Sequence, residues 1–204
     1  EGVLGYETVG KGFRAGGFNN LSAGSNFAPR FDQESLVSYE TGLKWSAYDG
    51  RLRSAMALFF TDYTDQQFFL FDQTGTQANI NVPKSELWGG ELEVTALPTD
   101  SLQVDFAFGY TDSEIKEYEE VQGVLVPAEA ILGSKVPGAP VWTVNLGLQH
   151  TAALSDSTGL VSRLDYEHRD KTYWTLDNLD TQAAYDLVNL SLSLERANWS
   201  ARLL

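Results

Sequence analysis

The sequence contains no cysteine, which removes disulfide scaffolds, thiolate metal sites and cysteine nucleophiles. Positive charge is scarce, with 14 Lys and Arg against 28 Asp and Glu and a net charge of −14. A nucleic-acid partner is excluded on that ground, because a polyanion needs a basic footprint. No window of 18 apolar residues exists, so no membrane-spanning helix is expected. No signal peptide stands among these residues. Only two histidines occur, His150 and His168. Neither lies near a Gly-x-Ser-x-Gly elbow, so no catalytic residue is expected.

What is abundant is glycine, at 18 residues, and aromatic side chains, at 12%. Both suit strands joined by turns. In "VSYETGLKWSAYDGRLRSAMALFFTDYTDQ", residues 37–66, the apolar Val37, Tyr39, Leu43 and Trp45 alternate with Ser38, Glu40, Gly42 and Lys44. The alternation returns in "LQVDFAFGYT", where Leu102, Val104, Phe106, Phe108 and Tyr110 share a face, and in "VWTVNLGLQ" and "DLVNLSLSLE". A period of two sustained this long predicts strands with one apolar face.

About nine such strands are expected, near 4–14, 36–46, 51–66, 85–97, 101–112, 140–152, 159–170, 185–196 and 198–204. One helical turn fits 127–133. Short turns at Asp49-Gly50, Pro98-Thr99-Asp100, 154–159 and Arg196-Ala197 alternate with long connections at 15–35, 67–84, 113–139 and 171–184. An antiparallel meander then carries every short turn at one end and every long loop at the other. That asymmetry is typical of an all-β, antiparallel, up-and-down transmembrane β-barrel. A soluble sandwich or a lipocalin-like barrel is the competing reading, with its apolar face turned inward. Its strands are usually nearer five or six residues. On the membrane reading Tyr39, Leu43, Trp45, Phe106, Phe108, Tyr110, Trp142 and Trp199 face lipid or form its aromatic girdles.

The ordered segments "FRAGGFNN" (13–20), "ESLVSYETGLKWSAYDGRLRSAMALFFTDYTDQQ" (34–67), "NVPKSELWGGELEVTALPTDSLQVDFAFGYTDSEI" (81–115), "VPGAPVWTVNLGLQH" (136–150), "LDYEHRDKTYW" (164–174) and "YDLVNLSLSLERANWSARLL" (185–204) resemble the second half of a TonB-dependent outer-membrane receptor barrel. The resemblance implies a 22-stranded barrel occluded by an N-terminal plug, energised by the TonB-ExbB-ExbD complex through that plug. It implies import of a scarce nutrient, most commonly a ferric siderophore, across the outer membrane of a Gram-negative bacterium. Residues 1–204 then make up part of the barrel domain, without the plug, the TonB box or the final strand. Because the pattern starts and stops inside strands, a piece of a longer protein is expected. A small outer-membrane barrel enzyme, an adhesin and a passive porin are the alternatives.

Candidate ligand contacts are Arg14, Asn19 and Asn20 on one long connection, and Gln66, Gln67, Phe68, Phe69 and Phe71 on another. Aromatics beside amides suit a ligand site, and a guanidinium suits an anionic ligand. Phe68, Phe69 and Phe71 equally suit an upper girdle, and Arg14 an ordinary lumen arginine. "GKGFRAGG" lacks the ending of a phosphate loop. Asp177, Asp180 and Asp186 lack calcium-loop spacing. The acidic run Asp112, Glu114, Glu117, Glu119 and Glu120 reads as a solvated loop. No cofactor or metal is expected. The long loops lack histidine, which on the resemblance disfavours haem.

Overall fold

The structure is a computed structural model that describes residues 2–21, 23–25, 27–71, 75–120 and 127–203. The centres of the expected 67–84 and 113–139 connections, and Leu204 of the last expected strand, lie outside the described residues. The elements in chain order are β1 (Gly2–Arg14), β2 (Gly17–Phe18), β3 (Arg30–Phe31), β4 (Glu34–Ala47), β5 (Leu52–Phe71), β6 (Gln77–Thr99) and β7 (Leu102–Glu117). They continue with α1 (Ala128–Ile131), β8 (Trp142–Ser155), β9 (Thr158–Arg169), β10 (Thr172–Tyr173), β11 (Thr181–Gln182), β12 (Tyr185–Arg196) and β13 (Trp199–Leu203). No helix among the described residues is long and apolar enough to cross a membrane, a statement that bears only on helices.

Nine strands form one antiparallel sheet in the order β1-β4-β5-β6-β7-β8-β9-β12-β13. Every long strand lies beside its sequence neighbour, as the alternation of turns and loops predicted, and the sheet is open at β1 and β13. Two small hairpins, β2–β3 and β10–β11, stand apart from it inside long connections. At the tight end, Tyr48, Asp49 and Gly50 all take positive φ (54°, 53° and 80°), and Arg51 N–H donates to Tyr48 O at 3.0 Å. Asp and Gly tolerate that backbone, and so the turn sits on Tyr-Asp-Gly-Arg.

Ladder partners share a face, so the register sorts the side chains. One row runs Tyr39–Phe60–Trp88–Asp112, the next Thr41–Leu58–Gly90–Tyr110–Trp142, and the one after it Leu43–Met56–Leu92–Phe108–Val144–His168. This face is apolar and open: Leu43 is 48% exposed, Leu58 53% and Trp88 50%. The opposite face carries Glu40, Lys44, Arg53, Glu91, Glu93, Asp105, Asn145, Arg163, Asp165 and Glu167. A soluble β-protein would bury the first face and show the second. From Leu102 to Tyr110 the apolar band measures about 27 Å along the strand at ~3.4 Å per residue, of the order of the ~25 Å band of a membrane barrel. Trp88 packs on Tyr110 at 5.4 Å at the loop end, while Trp45 and Trp199 flank the tight turns, giving two aromatic borders.

The strands outrun the expectation. β5 reaches Phe71 and β6 starts at Gln77, where a connection over 67–84 was expected, and β7 reaches Glu117 through residues expected in a loop. The ladder simply continues past the membrane border, since each strand still offers its neighbour free backbone groups. A kink marks the crossing: Asp65 takes φ 54° directly opposite Pro83, which has no N–H to donate.

The two faces make distinct predictions. Leu43→Arg should cost about 2–4 kcal/mol when the full barrel folds into bilayers. Ser38→Arg, on the wet face where Ser38 bonds Thr61 at 2.9 Å, should cost under about 1 kcal/mol. Urea titration of folding in vesicles measures both, and equal costs would overturn the assignment of faces.

Candidate functional site

Above the kink the inner side of the wall meets the long connections, and together they form a roof with its own apolar core. Ala78, Ile80 and Val82 of β6 and Ile115 of β7 are buried there with Phe27, Ile131, Val136 and Leu176 from three separate connections. Phe68, Leu70 and Tyr118 pack against this cluster. Burial holds the Tyr118 hydroxyl above its usual pKa, with the Glu120 charge adding to the effect.

Side-chain amides fasten the roof where no strand is available. The Asn19 amide donates to Asn79 O at 2.9 Å and accepts from Asn79 N–H at 2.9 Å, standing in for one rung of a ladder. Asn81 does the same for Asp32, donating to its carbonyl at 2.9 Å and accepting its N–H at 2.7 Å. Asn178, at φ 57°, accepts from Lys135 N–H at 2.6 Å and donates to the carbonyls of Lys135 (2.9 Å) and Thr175 (3.1 Å). Neither Asn81 nor Asn178 stood out in the sequence. The only signal available was an asparagine tolerating positive φ within a polar loop.

The expected contact residues divide on this frame. Arg14 pairs with Glu34 at 2.6 Å and donates to Gln67 O at 2.9 Å. Gln67 itself donates to Asp32 O and Ala15 O at 2.9 and 3.0 Å, and Gln66 is bonded by Ser85. With Asn19 and Phe68, these side chains are engaged in holding the roof. Asn20 is exposed. Phe69 (60% exposed) and Phe71 (57%) sit edge to face at 6.4 Å on the side of β5 opposite Phe68 and Leu70.

Below the roof the inner wall carries a groove of about 270 Å³ lined by Glu93, Asp105, Asn145, Arg163, Asp165 and Glu167. Arg163 bridges Asp165 at 2.7 Å and Asp105 at 3.3 Å, and Asp105 also accepts from Thr95 and Gln103. The guanidinium lies over Gly147, where a Cβ would stand 2.7 Å from it. Four carboxylates against one guanidinium leave the wall acidic. Among the described residues no group of three or more His, Asp or Glu is placed to hold a metal ion.

A lipid-facing apolar band, a polar inner wall and inward-packed long loops define the wall of a transmembrane β-barrel. The chain belongs to the TonB-dependent receptor-like β-barrel family, whose model matches residues 4–203. It is similar to the ferric yersiniabactin uptake receptor FyuA from Yersinia pestis at 22% identity and TM-score 0.73, over 94% of this chain and 27% of that one. The ferric preacinetobactin receptor BauA from Acinetobacter baumannii matches at 15% identity and TM-score 0.68, over 95% and 27%. The ferric-catecholate import receptor Fiu from E. coli K12 matches at 23% and 0.62, over 96% and 27%. The chain spans about a quarter of the length of these solved receptors. Barrels of this family lie in the outer membrane of Gram-negative bacteria, as the sequence reading expected.

Replacing Asn178 by Ala removes three hydrogen bonds, each contributing about 0.5–1.5 kcal/mol. Faster backbone amide exchange is expected at 134–138 and 172–180 and unchanged exchange in β4 and β5. Uniform exchange across the barrel would show that the amide does not fasten the roof.

Proposed function

We propose that the full receptor captures a ferric siderophore at its outer mouth and imports it with energy drawn from TonB-ExbB-ExbD through a plug seated in a 22-stranded barrel. The observation that carries this reading is the roof: three long connections share one apolar core over a polar bore, on a wall of this receptor family. The similarity to ferric siderophore receptors supports an iron-chelate cargo, although the copper transporter OprC matches in fold as well as BauA does, at TM-score 0.68 and 15% identity. Asn20, Phe69 and Phe71 are the residues we assign to direct ligand contact. Arg14, Asn19, Gln66, Gln67 and Phe68 act by keeping the mouth in shape, and a guanidinium already satisfied by Glu34 is poorly placed to bind an anion as well.

Two measurements test the reading. Cells carrying the full receptor should accumulate iron-55 supplied as a catecholate or hydroxamate complex, and accumulation should vanish when TonB is deleted; transport that persists overturns energised import. Phe69→Ala with Phe71→Ala should weaken ligand binding about tenfold, in line with loss of two aromatic contacts of ~0.5–1.5 kcal/mol each. Unchanged affinity in that double variant removes both residues from the site.

A further inference from the structure

The first strand carries a carboxylate on its lipid-facing side. Val3, Gly5, Glu7 and Val9 of β1 stand opposite Trp45, Leu43, Thr41 and Tyr39, so all four share the face that meets lipid. Glu7 therefore lies inside the apolar band, one ladder row below Tyr39–Phe60–Trp88 and two rows from Trp45. At ~3.4 Å per residue that is about 7 Å along the strand from the upper aromatic row and about 14 Å from Trp45.

A carboxylate at such a depth is costly unless it is paired. Other acids in these rows have partners. Asp186, which ends the Leu43 row, accepts from Tyr166 at 2.6 Å and faces His168 Nδ1 at 2.8 Å. Asp112, which ends the Tyr39 row, pairs with Lys135. Glu7 is exposed, and no hydrogen bond or ion pair involves it among the described residues. The nearest cation on its side of β1 is Lys11, four residues further on and beyond Val9. The hydroxyl of its ladder neighbour Thr41 donates to Tyr6 O at 3.4 Å. β4 thus supplies Glu7 with nothing, and the other side of β1 is the open edge of the sheet. Beside Glu7 a groove of about 400 Å³, lined by Val9, Tyr39, Thr41, Leu58 and Phe60, leaves room for a long aliphatic stem. Backbone in lipid must be paired through its whole depth, so a further strand of the receptor covers that edge.

We propose that the covering strand carries a Lys or Arg on its lipid-facing side, directly opposite Glu7 or two positions along, and that this pair fixes the register of the seam. Direct and diagonal neighbours across a ladder both lie within reach of a long side chain. A slip of one residue would turn the cation into the bore and leave Glu7 alone in hydrocarbon. The inference rests on the chain being part of a larger barrel and is independent of the cargo, so its failure leaves the import reading untouched.

The full receptor is folded into vesicles and unfolded with urea. Glu7→Leu leaves a membrane-embedded cation without its counter-charge and should lower the folding equilibrium constant about a hundredfold. Replacing the opposing Lys or Arg by Leu in the same chain should bring the constant back to within about tenfold of the unaltered protein, because exchanging both partners for apolar residues is nearly neutral. Glu7→Gln keeps a hydrogen-bond acceptor and should fall between the two. A gain in stability on Glu7→Leu overturns the proposal, since a solitary acid in lipid profits from removal. So do additive losses in the double variant, or a covering strand without Lys or Arg at those positions. Dissociation of an oligomer by Glu7→Leu, read by native mass spectrometry, overturns it too, because the partner would then be a second copy.

Discussion

Everything in this molecule depends on the inability of hydrocarbon to accept a hydrogen bond. An unpaired N–H or C=O in lipid costs several kcal/mol, so each strand crossing the membrane must have neighbours along its whole depth. Consecutive strands joined by tight turns meet that requirement most locally, and β4 to β9 follow it without a crossover. Once the backbone is satisfied between strands, side chains are free to sort by solvent. The outer row takes Leu, Val and aromatics, and the inner row takes Gly, Asn, Asp, Glu and Arg. The open edges at β1 and β13 carry the same demand for further partners.

Beyond the membrane border the constraint relaxes, and a different one takes over. The continued strands are no longer bathed by lipid on one side and a wet bore on the other. Their inner face instead covers the apolar residues of the connections, while the outer face becomes charged. Backbone groups at the upper end of β6 have no β7 to pair with, and the Asn19 amide takes up those of Asn79. Rigid wall and roof are therefore the same sheet in two environments, separated by the bend at Asp65 and Pro83.

How much of this could be read in the sequence follows from the same division. Inside the membrane the two faces differ sharply, so Val37–Trp45 and Leu102–Tyr110 announced their strands and their orientation. Past the border the contrast is lost. In "QQFFLF" Phe68 and Leu70 enter the roof core while Phe69 and Phe71 stay exposed, so apolar residues fill both faces and no alternation survives. Asp112 and Glu114 looked like a solvated loop because the lysine that pairs with Asp112, Lys135, lies far along the sequence, and the one that pairs with Glu114, Lys116, sits among the acidic residues. The hairpins β2–β3 and β10–β11 are too short to show any period. Asn19 was singled out for its amide, but the sequence carried no sign that this amide would replace a rung of backbone.

The inner glycines shape the bore in a way that composition alone conceals. At Gly42 a Cβ would stand 2.5 Å from the Tyr6 ring, at Gly89 it would meet Phe59 at 2.7 Å, and at Gly147 the Arg163 guanidinium. At these three positions a large neighbouring side chain lies across bare backbone. Glycine there acts like a recess for a folded-down seat: a bulky neighbour takes room along the wall that a Cβ would otherwise fill.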